Sequence, residues 1–248
     1  MTSISSILSA AVCFNLLVSA AFAAENYSLW PRRPAELEQA RRLVREQKGA
    51  EAVHLLQPFI KDNGIAGREA RQITGAVNVQ RYLSRRHPDA RVYTVKSGDN
   101  VYKIAAAEKC PFELIMLLNG IVEPAGLRVG QKLVLVPMNC RAEINLAQRE
   151  LSVWDGETLV ADYNLTAADG AADKAGETTL SACEGYLEGT RLPRRSAQFP
   201  SSDRVLSFAN GLTLAGKARN TAGELLMEQR DVNELSLLLV TDASVVIK

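Results

Sequence analysis

Apolar residues recur at every third or fourth position between residues 35 and 87, which is the spacing of an amphipathic helix. The pattern breaks at Gly49 and again at the turn sequence Asp62-Asn63-Gly64. It predicts three helices, which begin near residues 35, 52 and 70. We therefore expect residues 24–92 to form a helical segment.

Between residues 93 and 137 the pattern changes. Tyr93 and Val95 alternate with polar residues as in a short strand, and Asp99 is placed to cap a helix that follows. A second helix is predicted from Pro111 to the stop signal Asn119-Gly120, with an apolar face that includes Leu117. A closing strand covers residues 133–136. The predicted order is strand, helix, helix, strand.

Residues 140–248 alternate in the manner of strands joined by turns. Asp155-Gly156 is a strong hairpin signal between two apolar runs, and further strands are expected over 205–208, 212–214 and 244–247. A helix is expected over 231–239. The chain is thus predicted to be an α+β multidomain protein with a helical segment, a small βααβ module and a mostly-β C-terminal domain.

The first 23 residues are typical of a secretory signal peptide. Residues 7–18 supply the apolar stretch, and Ala21-Phe22-Ala23 supplies the small residues that a signal peptidase needs. No Lys or Arg precedes the stretch, so an uncleaved anchor is the alternative. We expect export to the periplasm or cell envelope, with no integral membrane span after processing.

The charges exclude one class of partner. The net charge is +1, and residues 25–92 carry 13 Lys and Arg against 8 Asp and Glu, which is a mild excess. A nucleic-acid-binding protein would concentrate positive charge on one face, so no nucleic-acid partner is expected.

Residues 93–137 resemble a LysM domain over their whole length. The motifs in register are Tyr93-x-Val95, Gly98-Asp99-Asn100-Val101, Tyr102-x-Ile104-Ala105, Leu117-x-Asn119-Gly120 and Leu127-x-Val129-Gly130-Gln131-x-Leu133-x-x-Pro137. LysM domains bind N-acetylglucosamine-containing glycans, chiefly peptidoglycan or chitin. The resemblance implies a groove between two loops, formed by Ser97, Gly98, Asp99 and Asn100 on one side and by Asn119, Gly120, Ile121 and Val122 on the other. Gly98, Asp99 and Asn119 are also expected to shape the turns themselves.

Residues 140–248 resemble an L,D-transpeptidase catalytic domain, on the hairpin around Asp155-Gly156 and on the closing stretch after Gly223. In that family the closing motif reads Ser-His-Gly-Cys-Ile-Arg-Met, with Cys as the nucleophile and a further His upstream. Aligned on Gly223 and Met227, the four family positions are occupied here by Ala215, Ala222, Glu224 and Leu226. Acyl transfer by this route needs a thiolate and a base that generates it. The resemblance therefore implies a degenerate domain that is not an enzyme.

Three cysteines follow the predicted cleavage site, and their odd number allows one intramolecular bridge at most. Cys110 and Cys140 bracket the LysM-like module and are the candidate disulfide. The alternative is that all three are small buried apolar residues. No Cys/His cluster has the spacing of a metal site, and we expect no metal and no cofactor.

The sequence favours an exported, noncatalytic protein that binds peptidoglycan or another N-acetylglucosamine-containing glycan, with a transpeptidase-like domain as a scaffold or a binder of peptide stems. Cell-wall enzymes are candidate partners. One alternative is a cell-wall enzyme with rearranged chemistry that uses Cys183 or Glu224. Another is a protein-interaction adaptor that works through the helices of residues 35–87.

Overall fold

The computed structural model describes residues 34–168, 170–193, 196, 198–219 and 223–248. The signal-peptide prediction for residues 1–23 and the position of Ala222 lie outside the described residues. Among the helices that are described, none combines the length and apolarity needed to cross a membrane.

The three predicted helices are present. They are α1 (Ala35–Arg45), α2 (Gly49–Leu56) and α3 (Ile65–Tyr82), and a 3-10 turn at Gln57–Phe59 follows α2. The helices share a small core of their own, to which α1 contributes Leu37 and α2 contributes Leu56. The opposite side of α3 packs against the C-terminal domain.

The central module consists of β1 (Arg91–Thr94), α4 (Val101–Glu108), α5 (Phe112–Asn119) and β2 (Lys132–Leu135), which confirms the predicted order. Strands β1 and β2 pair antiparallel, with Tyr93 opposite Leu133. The prediction that Asp99 caps the first helix is wrong. Asn100 is the cap, because its side-chain oxygen accepts the Lys103 N–H at 3.0 Å, in agreement with the known preference for Asn at this position.

The C-terminal domain is an eight-stranded β-barrel with one additional strand. Its elements are β3 (Arg141–Asn145), β4 (Glu150–Asp155), β5 (Thr158–Ala167), β6 (Gly176–Leu187), β7 (Thr190–Leu192), β8 (Asp203–Phe208), β9 (Thr213–Ala215), β10 (Glu224–Met227), helix α6 (Gln229–Leu235) and β11 (Ser244–Ile247). Around the barrel the order is β11-β3-β4-β5-β10-β9-β8-β6, and β6 pairs with β11 to close it, while β7 extends from β6. The predicted hairpin at Asp155-Gly156 joins β4 to β5.

Both N-terminal units are packed against the barrel. Gly75 permits the close approach of α3, since a Cβ at this position would lie 2.6 Å from the backbone nitrogen of Asp162 on β5. Beside it, Arg71 forms a buried ion pair with Glu150 on β4 at 2.6 Å. On the central module, Phe112 contacts Phe199 of the barrel domain, with 5.8 Å between the ring centroids. The three units therefore form one continuous packed body.

Candidate functional site

The first wall of the predicted groove is the loop between β1 and α4. The Asp99 carboxylate accepts hydrogen bonds from the Lys96 N–H and the Tyr93 hydroxyl, both at 2.8 Å. These two donors, the backbone one first, hold the pKa of Asp99 below its usual value. Gly98 has a left-handed φ of +83°, and a Cβ added to it would have no neighbour within 4 Å. Asp99 and Asn100 thus fix the loop, while Ser97 and Gly98 are exposed.

The second wall begins at Asn119, which connects α5 to β2. Its side-chain amide donates to the carbonyl oxygens of Ile115 at 2.8 Å and Val134 at 2.9 Å, and its oxygen accepts the Val134 N–H at 2.8 Å. Both amide hydrogens are therefore used within the protein. Asn119 shapes the groove, and Gly120 follows it in the left-handed conformation that ends α5, with φ +63°.

The apolar members of the groove differ from each other. Ile121 packs against the core of the module, whereas 81% of Val122 is exposed. Leu117, predicted to face inward, is 65% exposed because it lies on the solvent side of α5. Val129 of the Leu127-x-Val129-Gly130 motif, which was not among the predicted site residues, is 71% exposed.

This arrangement suits weak recognition of a sugar chain. Ser97, Gly98 and Gly120 are exposed and place backbone at the surface, and Val122 supplies an apolar contact for a sugar face or an acetamido methyl group. The polar side chains that hold the two loops are already paired within the protein. Loops fixed in this way avoid the entropic cost of ordering upon binding.

Three of the four aligned transpeptidase positions lie together on the parallel pair β9–β10. Ala215 and Leu226 are direct partners across the two strands, and Glu224 lies two residues before Leu226. Ala215 is buried. The space next to it is filled, because a Cβ on Gly216 would lie 2.3 Å from Oε1 of Gln229.

The Glu224 carboxylate is used within its own loop. Its two oxygens accept the Arg219 N–H at 3.0 and 2.9 Å. The carboxylate at the position aligned with the family nucleophile is therefore engaged with the protein's own backbone.

Cys110, Cys140 and Cys183 are all free thiols and all buried. The predicted disulfide between Cys110 and Cys140 is therefore not formed in this structure. The reason is that the two side chains pack into different cores, Cys110 into that of the central module and Cys140 into that of the barrel. Burial raises the pKa of the Cys110 thiol to about 11 and that of the Cys140 thiol to about 12. In the described part of the chain, no three His, Cys, Asp or Glu residues are placed to hold a metal ion.

Comparison with protein-family models matches residues 93–136 to the LysM domain. Comparison with curated protein sequences finds no match. Similar solved structures include an L,D-transpeptidase from Xylanimonas cellulosilytica (15% identity, TM-score 0.33, covering 45% of this chain and 61% of that chain). Others are the L,D-transpeptidases from Stackebrandtia nassauensis (13%, TM-score 0.34, covering 81% and 78%) and Mycobacterium smegmatis (10%, TM-score 0.31, covering 49% and 64%). This chain thus spans about three fifths of the length of the first of these structures.

Proposed function

We propose that this chain is an exported, noncatalytic protein of the cell envelope that binds peptidoglycan through the groove of residues 97–100 and 119–122. The observation that carries the proposal is the LysM match over residues 93–136, and the exposure of Val122 and the internal pairing of the loop side chains Asp99 and Asn119 support it. The apolar stretch of residues 7–18 supports export. One small groove binds weakly, and a polymeric ligand compensates through avidity.

The noncatalytic part of the proposal is supported by the side chains at the aligned transpeptidase positions. The two oxygens of the Glu224 carboxylate share one donor, the Arg219 N–H, and Ala215 is a buried methyl group. Neither supplies a thiolate or an imidazole base. In this proposal the barrel serves as a scaffold that holds the LysM module and as a surface that binds cell-wall enzymes.

Binding is tested by co-sedimentation with purified peptidoglycan sacculi. Because the module packs against the barrel through Phe112 and Phe199, point variants are preferable to deletion of the module. Val122→Asp places a charge in the groove, and Val92→Asp is the matched control, since Val92 is 66% exposed on β1 outside the groove. We expect pelleting to fall at least tenfold in V122D and to remain in V92D. Equal pelleting of both variants would show that the groove does not bind the sacculi. Undiminished binding of V122D to a protein partner would favour the adaptor alternative.

Catalysis is tested separately with disaccharide-tetrapeptide muropeptides, which are separated by liquid chromatography after incubation with the mature chain. We expect neither cross-linked nor shortened products. Product formation that disappears in Cys183→Ser or in Glu224→Gln would establish the enzyme alternative instead.

A further inference from the structure

The sheet of the LysM module has only two strands, so each strand has one edge that faces away from its partner. At the β2 edge, the Asn119 side chain donates to the Val134 carbonyl oxygen at 2.9 Å and accepts the Val134 N–H at 2.8 Å. These bonds occupy both backbone groups that Val134 turns away from β1. The β2 edge is therefore capped by a side chain of the same module.

The β1 edge has the same pattern of outward backbone groups. In an antiparallel pair, opposite residues alternate between those that bond to each other and those that turn their N–H and C=O groups outward. Val92 lies opposite Val134 in the register, so Val92 and Thr94 both face outward. Val95 faces inward, since its N–H donates to the Gln131 carbonyl oxygen at 2.9 Å. The edge thus presents a donor and an acceptor at each of two positions.

These outward groups have no cap like that of β2. Within the described ranges, no strand other than β2 pairs with β1, and no side chain bonds to the backbone of Val92 or Thr94. Val92 is 66% exposed, and Arg91 and Thr94 are exposed as well. An open strand edge that carries an exposed apolar side chain is a template for pairing with another strand.

Charge does not protect this edge. Natural sheets often prevent edge pairing with charged side chains or with proline, and β1 contains no proline. Arg91 is the only charged residue of β1, and it forms an ion pair with Glu108 on α4. Two copies of β1 therefore approach each other without an unpaired charge on either strand.

We propose that β1 pairs antiparallel with β1 of a second copy of this chain, with a two-fold axis between the two Tyr93 residues. Val92 of each copy then lies opposite Thr94 of the other. Each of these opposed pairs exchanges two backbone hydrogen bonds, which gives four bonds in total. The two small sheets become one four-stranded sheet, in the order β2-β1-β1-β2.

The second copy suits this edge because β1 is its own complement. A partner strand must present outward groups two residues apart in the opposite direction, and β1 does so about Tyr93. On the exposed face, the β-branched side chains of Val92 and Thr94 become cross-strand neighbours, and on the other face the two Tyr93 rings do. The interface is small, and an interface that buries less than about 1,200 Å² is typical of weak association.

The dimer and the groove use different residues. Pairing involves residues 92–94, whereas the first wall of the groove begins at Ser97. A dimer therefore carries two grooves on one body and contacts two glycan segments at once. This consequence rests on the proposed function, whereas the pairing of β1 does not.

The dimer is tested by sedimentation velocity of the full mature chain from about 1 μM to about 1 mM, the range of Kd for weak interfaces. Thr94→Pro removes an outward N–H and leaves the bonds between β1 and β2 in place. Lys132→Pro is the matched control, because Lys132 lies opposite Thr94 and its N–H faces the other edge. We expect the unaltered chain and K132P to form dimers, and T94P to dimerise at least tenfold more weakly. V92D, whose substitution is at an exposed position, should do the same and decides the result if T94P does not fold.

The register is tested with cysteines at the same two exposed positions. Bonded antiparallel partners have Cα atoms about 5.5 Å apart, which is within the span of a disulfide. An equimolar mixture of Val92→Cys and Thr94→Cys chains in oxidised glutathione should therefore give at least tenfold more disulfide-linked dimer than either variant alone.

Three results would overturn the inference. They are a chain that stays monomeric over the whole concentration range, equal association of the unaltered chain, T94P and V92D, and equal cross-linking of the mixed and the single cysteine variants. V92D keeps its groove and should still pellet with sacculi. A monomeric chain that pellets thus contradicts the dimer alone, and a dimer that does not pellet contradicts the groove alone.

Discussion

The LysM loops and the β9–β10 pair of the barrel both occupy positions where a family resemblance places a functional site, yet they are built in opposite ways. In the LysM loops, Asp99 and Asn119 direct their polar atoms to the protein's own backbone and leave the rim open. In the barrel, Gly216 is pressed against Gln229 and Ala215 is buried. Hydrogen bonds from polar side chains fix the two LysM loops, whereas close apolar and backbone packing surrounds the aligned positions of the barrel.

The largest expected effect is on the pH dependence of stability, and it comes from a difference between two aspartates, Asp99 of the LysM loops and Asp162 of the barrel. Asp99 is surrounded by donors, whereas burial raises the pKa of Asp162 on β5 to about 7 from 3.8. The groups that face Asp162 are Ser152 and Glu150 of β4 and Arg71 and Arg68 of α3; Ser152 and the arginines favour its charged form, and Glu150 opposes it. Burial outweighs the favourable contacts.

Because the folded pKa of Asp162 is raised, the folded state holds more protons than the unfolded state between pH 4 and 7. Protonation of Asp162 therefore contributes fully to the free energy of unfolding below pH 4. This contribution, about 4 kcal/mol in total, is lost as the pH rises to 7. Unfolding in urea at several pH values measures it. Asp162→Asn should remove this part of the pH dependence and exposed Asp203→Asn should not; identical pH profiles for D162N and the unaltered chain would refute the assignment.

Asn119→Ala should destabilise the LysM module by about 2–4 kcal/mol. The substitution deletes three hydrogen bonds and leaves the Ile115 and Val134 carbonyl groups without this partner. Urea denaturation with a signal from the module, such as the Tyr93 and Tyr102 side chains, measures the loss. A decrease in the free energy of unfolding below about 0.5 kcal/mol is typical of a surface substitution. Such a small decrease would show that the second wall does not depend on Asn119.

Gly216→Ala should destabilise the barrel by about 1–3 kcal/mol. The added Cβ would lie 2.7 Å from the Cα of Gln229, so the backbone itself must move. Gly126→Ala is the control, since the nearest atom to its added Cβ is 3.1 Å away. Thermal unfolding compares the two variants, and equal midpoints would mean that the space beside Ala215 is not filled as described.

Glu224→Gln should have the smallest effect, about 0.5–1 kcal/mol, because the amide oxygen still accepts the Arg219 N–H. Pelleting with sacculi should be unchanged. A large loss of pelleting in E224Q, with stability preserved, would move part of the binding site to the barrel.

The elements with strong periodicity could be predicted from the sequence, including the three helices, the order of the central module and the hairpin at Asp155-Gly156. Strand β6 was missed because its buried positions include Cys183 and Gly185, which do not give an apolar alternation. The helix cap was placed one residue early, since Asp99 and Asn100 are both good caps and only the fold selects between them.

The packing of α3 on the barrel depends on residues far apart in the chain. Arg71 meets Glu150 across 79 positions, and no local pattern encodes that pairing. The groove residues are predicted by resemblance to the LysM family. Only the structure shows that Asn119 holds its loop by internal hydrogen bonds, whereas Val122 is exposed.

The most direct test of the central claim is a titration of the isotope-labelled chain with N-acetylglucosamine tetramer, followed by the backbone amide resonances. We predict the largest shifts at residues 97–100 and 119–122, and their loss in V122D but not in V92D. Shifts confined to the barrel, or no shifts in a chain that still pellets with sacculi, would contradict glycan recognition by this groove.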